Sequence, residues 1–390
     1  MHLHRFYFRI DACGNGRTDT EYALNARGFA VTETMASRAT MRMRWIPERA
    51  GNWLFHCHIP EHFSPRLPLG MPRPKRATDD HPAHAAVANH ATQGMNGLVL
   101  GIAVRESGRR VAAVAPPTLP VRTLRLLVRA STKSTASHPL FSYAVHEHRP
   151  EPRLPDAYRA APVLDQVRGQ PIRITVVNRL AEQTAVHWHG IELESFYDGV
   201  PGFSGSGRPT TPMIAPGDSF EVRFTPPRAG TFIYHTHASE ARQQSAGLIG
   251  AIVVGEPGTR RDTLVDIPVL LGKGPSPDLR NPPLLVNGTD KPDSITLRAG
   301  TTYRLQLINM TVTWAIVRAE LRRDTSLLTW SVVAGTPAER TNWRLIGRGE
   351  GVHWPDLDED ISVENLLSGT RSGESHRSLK QWLASGRPAT

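Results

Sequence analysis

Two cysteines, Cys13 and Cys57, are all that this chain of 390 residues contains, too few for a disulfide framework. Long apolar runs are also missing. No stretch reaches the ~18 consecutive apolar residues that a membrane-spanning helix needs, so a membrane span is not expected. The opening MHLHRFYFRI lacks the charged, then apolar, then small order of a secretory signal. Basic residues are plentiful, at 46 against 36 acidic ones, with a net charge of +10 and a pI near 10.1. They are scattered along every segment and form no basic stripe interleaved with aromatics, so no nucleic-acid partner is expected. What remains is a globular composition with 39% hydrophobic residues, 32 Gly and 32 Pro. That balance favours short strands joined by turns, in two or three domains.

Strand-like alternation comes in blocks. Residues 1–105 carry FYFRI, TMRMRWIPERAGNWLFHCH and GLVLGIAVR, with a Pro-, Ala- and His-rich loop over 64–95 that holds His81, His84 and His90. Residues 106–153 are rich in Pro, Arg and Ser and are expected to be a linker, with one short strand possible at TLRLLVRA. Residues 154–257 alternate again through IRITVVN, HWHGIELES, SFEVRFTPPRAGTFIYHTH and GLIGAIVVGEPG. Residues 258–322 begin a third such pattern and lose it. The stretch 323–390 is Trp-rich, acidic at DLDED, and ends in a helix-like SHRSLKQWLAS, a small α+β tail.

The 17 histidines are unevenly spread, and four H-x-H pairs stand out: His2/His4, His56/His58, His187/His189 and His235/His237. Residues i and i+2 of a strand point to the same side, so each pair can face one metal centre. Imidazole alone suits copper, zinc, iron or nickel, and the cysteine narrows the choice. One thiolate with histidine nitrogens and a weak axial group is a blue-copper arrangement, whereas zinc prefers more cysteines or a closed four-ligand shell. Within HCHIPEH, Cys57 and His62 offer two of three strong ligands to one ion. His56 and His58, as strand neighbours of Cys57, face the opposite side and other ions.

These motifs resemble the multicopper oxidases of laccase type. HCHIPEH is similar to the family's C-terminal copper motif, HWHG and HTH to its first-domain motifs, and MHLHRFYF to its H-P-x-H-x-H-G run. The resemblance covers residues 1–105 and about 154–257. It implies an all-β chain of cupredoxin-like Greek-key β-sandwiches, the first truncated and the third only begun. It implies type 1, type 2 and paired type 3 copper ions as cofactors. His2 and His187 then match the type 2 ligands. His4, His56, His58, His189, His235 and His237 match the type 3 ligands, and Cys57 and His62 the type 1 ligands. The implied reaction is one-electron oxidation of a reducing substrate at type 1 copper. Electrons pass through Cys57 to His56 and His58, and dioxygen is reduced by four electrons to water.

The pattern departs from the family in places. The family's third type 1 ligand is a histidine three residues before His2, a position that precedes Met1. Arg5 stands where the family has glycine. The axial position is Leu67, or Met71 if the Gly70-Met71 pair is shifted. The Cys-bearing domain precedes the HWHG domain, so the copper cluster is expected either within one chain or between copies in a homo-oligomer. Asp198, just after HWHG, is a candidate proton donor to reduced oxygen, and turn chemistry at Asp198-Gly199 is its other reading. The resemblance implies a periplasmic or secreted setting. The tail, around WPDLDEDISV, resembles a small bacterial domain of unknown function. Two functions are therefore expected to compete: a working oxidase, or a copper-binding fragment without turnover fused to an unrelated tail.

Overall fold

A computed structural model describes residues 1–59, 97–106, 119–151, 161–274, 284–289 and 303–309, with 25, 26, 28, 34, 37, 149 and 208 excepted, plus short pieces at 153, 298, 301, 322–323 and 326–327. The strands in chain order are β1 (His2–Leu3), β2 (Phe8–Gly14), β3 (Asp19–Glu21), β4 (Phe29–Ala30), β5 (Thr40–Trp45), β6 (Gly51–His56) and β7 (Val99–Val104). They continue with β8 (Arg122–Ala130), β9 (Phe141–His146), β10 (Leu164–Val167), β11 (Ile172–Asn178), β12 (Val186–His189), β13 (Ser219–Phe224), β14 (Gly230–Thr236) and β15 (Ile249–Gly255). The last are β16 (Asp266–Lys273), β17 (Leu284–Val286), β18 (Arg304–Asn309), β19 (Arg322–Arg323) and β20 (Ser326–Leu327); among the described residues one short α-helix, α1, spans Glu240–Ser245. The all-β expectation is thus met among the described residues. None of their helices is long and apolar enough to cross a membrane.

The chain divides into two compact units, one of residues 1–7 and 45–312, the other of residues 8–44 and 313–390. In the second unit β2 lies between β3 and β4 and also pairs with β5. Its buried Asp11 draws in Arg9, Arg27 and Arg44, so the carboxylate is paired where it leaves water.

The first unit holds the histidine motifs. Two four-stranded sheets, ordered β10-β15-β14-β12 and β13-β11-β8-β9, form a β-sandwich. Alternation explains the fold: Ile172, Ile174 and Val176 of β11 are buried while Arg173 is exposed. Facing them, Trp188 and Tyr234 stack at 5.7 Å, Tyr234 meets Tyr143 of β9 at 5.0 Å, and Trp188 meets Phe224 of β13 at 5.6 Å. Each such buried side chain contributes about 1.5–3 kcal/mol.

The linker expected over 106–153 is corrected here. β8 pairs in parallel with β11 from Arg122 to Val128, and β9 pairs antiparallel with β8. The arginines at 122, 125 and 129 gave this stretch its polar composition. Leu124, Leu126 and Val128 between them form a buried face. The sandwich therefore begins well before residue 154.

A three-stranded sheet, β1-β6-β7, carries HLH and the start of HCH. Its loop partner is the 195–205 segment: the Asn52 amide donates to the Gly205 carbonyl at 2.8 Å, and Ser195 Oγ–H donates to the Asn52 carbonyl at 2.8 Å. A fourth sheet of this unit, β17-β16-β18, packs Leu270 and Ile308 against Ile249 and Ala251 of β15. His62, Leu67, Gly70, Met71, the 64–95 loop and nearly all of the 323–390 tail lie outside the described residues.

Candidate metal centre

Four short strands bring the four H-x-H pairs together. β1 pairs antiparallel with β6 so that His2 lies opposite His56, and β12 pairs with β14 so that His187 lies opposite His235. Each sheet thus presents two neighbouring H-x-H strand ends, the second pair repeating the first. The sequence showed the pairs but not this cross-strand register. The eight rings meet: His2 stacks on His189 at 3.8 Å between centroids and His4 on His187 at 4.0 Å. All come from one chain, so a second copy is not required to assemble them.

The ring nitrogens sort into groups. Nε2 of His2 and Nε2 of His187 are 3.4 Å apart. Ligand atoms of His4, His56 and His237 lie within 4.8 Å of one another, with the Nε2 atoms of His4 and His56 3.0 Å apart. His58, His189 and His235 form a third set, with centroids 5.1, 5.2 and 5.9 Å apart. Ligand atoms of His4 also lie within 4.8 Å of those of His2 and His187, so His4 borders two candidate metal groups.

The opposite nitrogen of four rings is hydrogen-bonded from outside, and that of a fifth lies near a carboxyl group. His4 Nδ1–H donates to Asp198 Oδ2 at 2.8 Å, and His187 Nδ1–H to the Asp198 carbonyl at 2.7 Å. His56 Nδ1–H donates to the Cys57 carbonyl and His235 Nδ1–H to the Thr236 carbonyl, both at 2.8 Å. His237 Nδ1 is 3.2 Å from Glu240 Oε1. With the proton kept on Nδ1, the lone pair of Nε2 points inward and is free to ligate. Nε2 of His58 and of His235 are buried and meet no hydrogen-bond partner, which fits a site built for metal.

Burial favours the neutral form, the one a ligand needs, in six of the rings. Desolvation first, then repulsion from neighbouring rings, holds His2, His4, His56, His58 and His189 well below the usual imidazole range. The same causes push His235 down to about 3. Desolvation raises the Glu240 carboxyl to about 8.

Two devices hold the site in register. Arg228 forks onto Glu192 at 2.6 and 2.9 Å and lies 4.2 Å over the Tyr7 ring, whose hydroxyl donates to the Gly190 carbonyl. That ties the segment after HLH to HWHG. Gly199, at φ +90°, lets the 198–199 turn run against β12, since a Cβ there would sit 1.9 Å from the Val186 carbonyl oxygen. Asp198 itself is 1% exposed, touches His4 and His187, and stands in the turn just before Gly199.

Cys57 is buried at the end of β6, its amide donating to the Leu98 carbonyl at 2.9 Å. Its expected partners His62 and Met71 lie outside the described residues. Arg5 adopts φ 67° and is 3% exposed, its guanidinium 5.3 Å from the Trp53 ring and its Nη1 without a hydrogen-bond partner. Glu240 went unnoticed in the sequence, although it lies only three residues after His237.

Sandwich fold and converging imidazoles give a β-sheet protein with side-chain groups that could hold metal. Residues 1–73 and residues 159–259 each match a family model described as multicopper oxidase, and residues 327–372 match one described as a protein of unknown function, DUF2442. Two segments of the chain are thus similar to the multicopper oxidase family, whose name points to copper. Copper resistance protein A of Escherichia coli is 42% identical over 93 residues, 24% of this chain and 14% of that protein. Laccase-3 of Botryotinia fuckeliana is 30% identical over 211 residues, 47% of this chain and 44% of that protein. The crystal structure of a multi-copper oxidase from Pseudomonas thermotolerans is 23% identical and covers 51% of this chain and 49% of its own, with a TM-score of 0.40. The chain spans less than half the length of each of these three.

Proposed function

We propose that this chain is a copper-dependent oxidoreductase that oxidises a reducing substrate one electron at a time and reduces dioxygen to water. The observation that carries this reading is the convergence of eight imidazoles: ligand atoms of His2, His4 and His187, and again of His4, His56 and His237, lie within 4.8 Å of one another, and the rings of His58, His189 and His235 have centroids 5.1, 5.2 and 5.9 Å apart. His2 and His187 would hold a type 2 ion; His4, His56 and His237 one type 3 ion; His58, His189 and His235 the other. Cys57 and His62, with Leu67 or Met71 at the axial position, would hold type 1 copper. Copper supplies the one-electron chemistry that no side chain here offers. The chain's own groups favour the neutral form in six of the rings and fix tautomers. The His56-Cys57-His58 run links the two kinds of site through covalent bonds. Asp198, a hydrogen-bond acceptor at His4, is placed to hold a proton beside the cluster.

A second reading is a chain that takes up copper without turning over. It is favoured by Arg5, a buried guanidinium beside His4 in a left-handed backbone conformation. Cations near a site for several cations oppose loading. Copper loading of the full chain, followed by metal analysis, visible spectroscopy and oxygen uptake with a phenolic reductant, separates the two. The oxidase reading expects four ions, a thiolate-to-copper band and oxygen consumption. Copper without band or uptake leaves the second reading.

A further inference from the structure

Helix α1 follows directly on the H-T-H strand, and its first residue turns back toward the strand. Glu240 is 5% exposed, and its Oε1 lies 3.2 Å from His237 Nδ1. No lysine or arginine pairs with it among the described residues. Its other oxygen meets only the Gln244 amide, at 3.5 Å. A carboxylate buried without a cation destabilises a fold, and an apolar residue of equal size would serve packing better. The position therefore calls for a reason other than packing.

The neighbouring rings supply one. His56, His187 and His235 each place their Nδ1 proton on a main-chain carbonyl, and His4 places its own on Asp198. At His237 the strand has ended at Thr236, and the group standing at Nδ1 is the Glu240 carboxylate. A carboxylate acceptor fixes the Nδ1–H tautomer and makes the far nitrogen a stronger donor to metal.

We propose that Glu240 is a positioning residue for His237. Its carboxyl oxygen accepts the Nδ1 proton so that Nε2 faces the ion shared with His4 and His56. This assignment rests on the copper reading above and names the acidic side chain that one of its ions depends on.

The test compares the full chain with Glu240→Met and Glu240→Gln, using copper(II) in chelator competition and thermal melting without metal. Methionine keeps the volume, suits burial and cannot accept the proton. The metal-free Glu240→Met chain should melt at or above the wild-type temperature while its copper affinity at one ion falls about 10- to 100-fold. Glu240→Gln, whose amide oxygen still accepts, should recover most of that loss. A Glu240→Met chain that binds copper as tightly as wild type overturns the assignment. So does a loss of copper that merely follows a lower metal-free melting temperature. If both variants fail equally, the acceptor is not what matters and the assignment falls. A wild-type chain that takes up no copper overturns the assignment and the copper reading together. Wild-type loading with unchanged variants overturns the assignment alone.

Discussion

Replacing Gly199 with alanine should separate backbone strain from loss of the metal centre, because a second glycine provides the control. Gly199 and Gly217 both hold left-handed backbone, at φ +90° and +80°. Alanine at either position costs about 1–2 kcal/mol for that conformation alone. Around Gly217 nothing lies within 4 Å of the added methyl, so its cost ends there. At Gly199 the methyl would stand 1.9 Å from the Val186 carbonyl oxygen and 3.0 Å from His187 Cα. Relieving that overlap adds about 1–3 kcal/mol and pushes the 198–199 turn off β12. The same turn supplies the acceptors for His4 and His187, at 2.8 and 2.7 Å. Losing such an outer partner typically weakens a metal site about 10- to 100-fold. Gly217→Ala should therefore lower the melting temperature slightly and bind copper normally. Gly199→Ala should melt markedly lower and lose copper affinity by at least tenfold on this ~10- to 100-fold scale. Melting curves and chelator competition on both variants decide it. If the two alanine variants bind copper alike, the turn does not position the rings and the reasoning is refuted.

Other outcomes follow from the same structure. Arg5→Gly removes about 1–2 kcal/mol of left-handed strain and the buried guanidinium with its orphaned Nη1, at the loss of a cation–π contact. The metal-free chain should gain stability by about 1 kcal/mol on this balance and load copper more readily; a drop in either would contradict the role given to Arg5. In the metal-free chain His2, His4, His56, His58, His189 and His235 stay neutral below the ordinary value of 6.5, while the unfolded chain protonates there. The unfolded state then binds more protons, so stability is complete above pH 6.5 and falls as pH drops toward the folded values, about 3 for His235. Melting temperatures that stay flat from pH 7 to 5 would rule this out. Leu126→Ala, at a fully buried position of β8, should cost about 2–5 kcal/mol by denaturant unfolding. A cost near zero would mean that β8 belongs to a linker after all.

Much of this was legible from residue order, for a physical reason. Period-two spacing of histidines puts both rings of a pair on one face whatever the surrounding fold, so HLH, HCH, HWH and HTH could be read as ligand pairs directly. The alternation of IRITVVN likewise exposed a half-buried strand. Less legible was anything that depends on register. That His2 faces His56 and His187 faces His235 is set by strand pairing, which the residues alone do not display. Composition misled at β8 and β9, where three arginines masked the buried face of Leu124, Leu126 and Val128. Glu240 went unread because a helix turn, rather than strand alternation, brings it to His237.

The account stands on the claim that these eight imidazoles hold copper. Diffraction from copper-loaded crystals, with anomalous scattering at the copper edge, tests it most directly. The account predicts three peaks among the Nε2 atoms of His2, His4, His56, His58, His187, His189, His235 and His237. Copper found only on outlying histidines such as His138 and His148, with no peak among the eight, would contradict it.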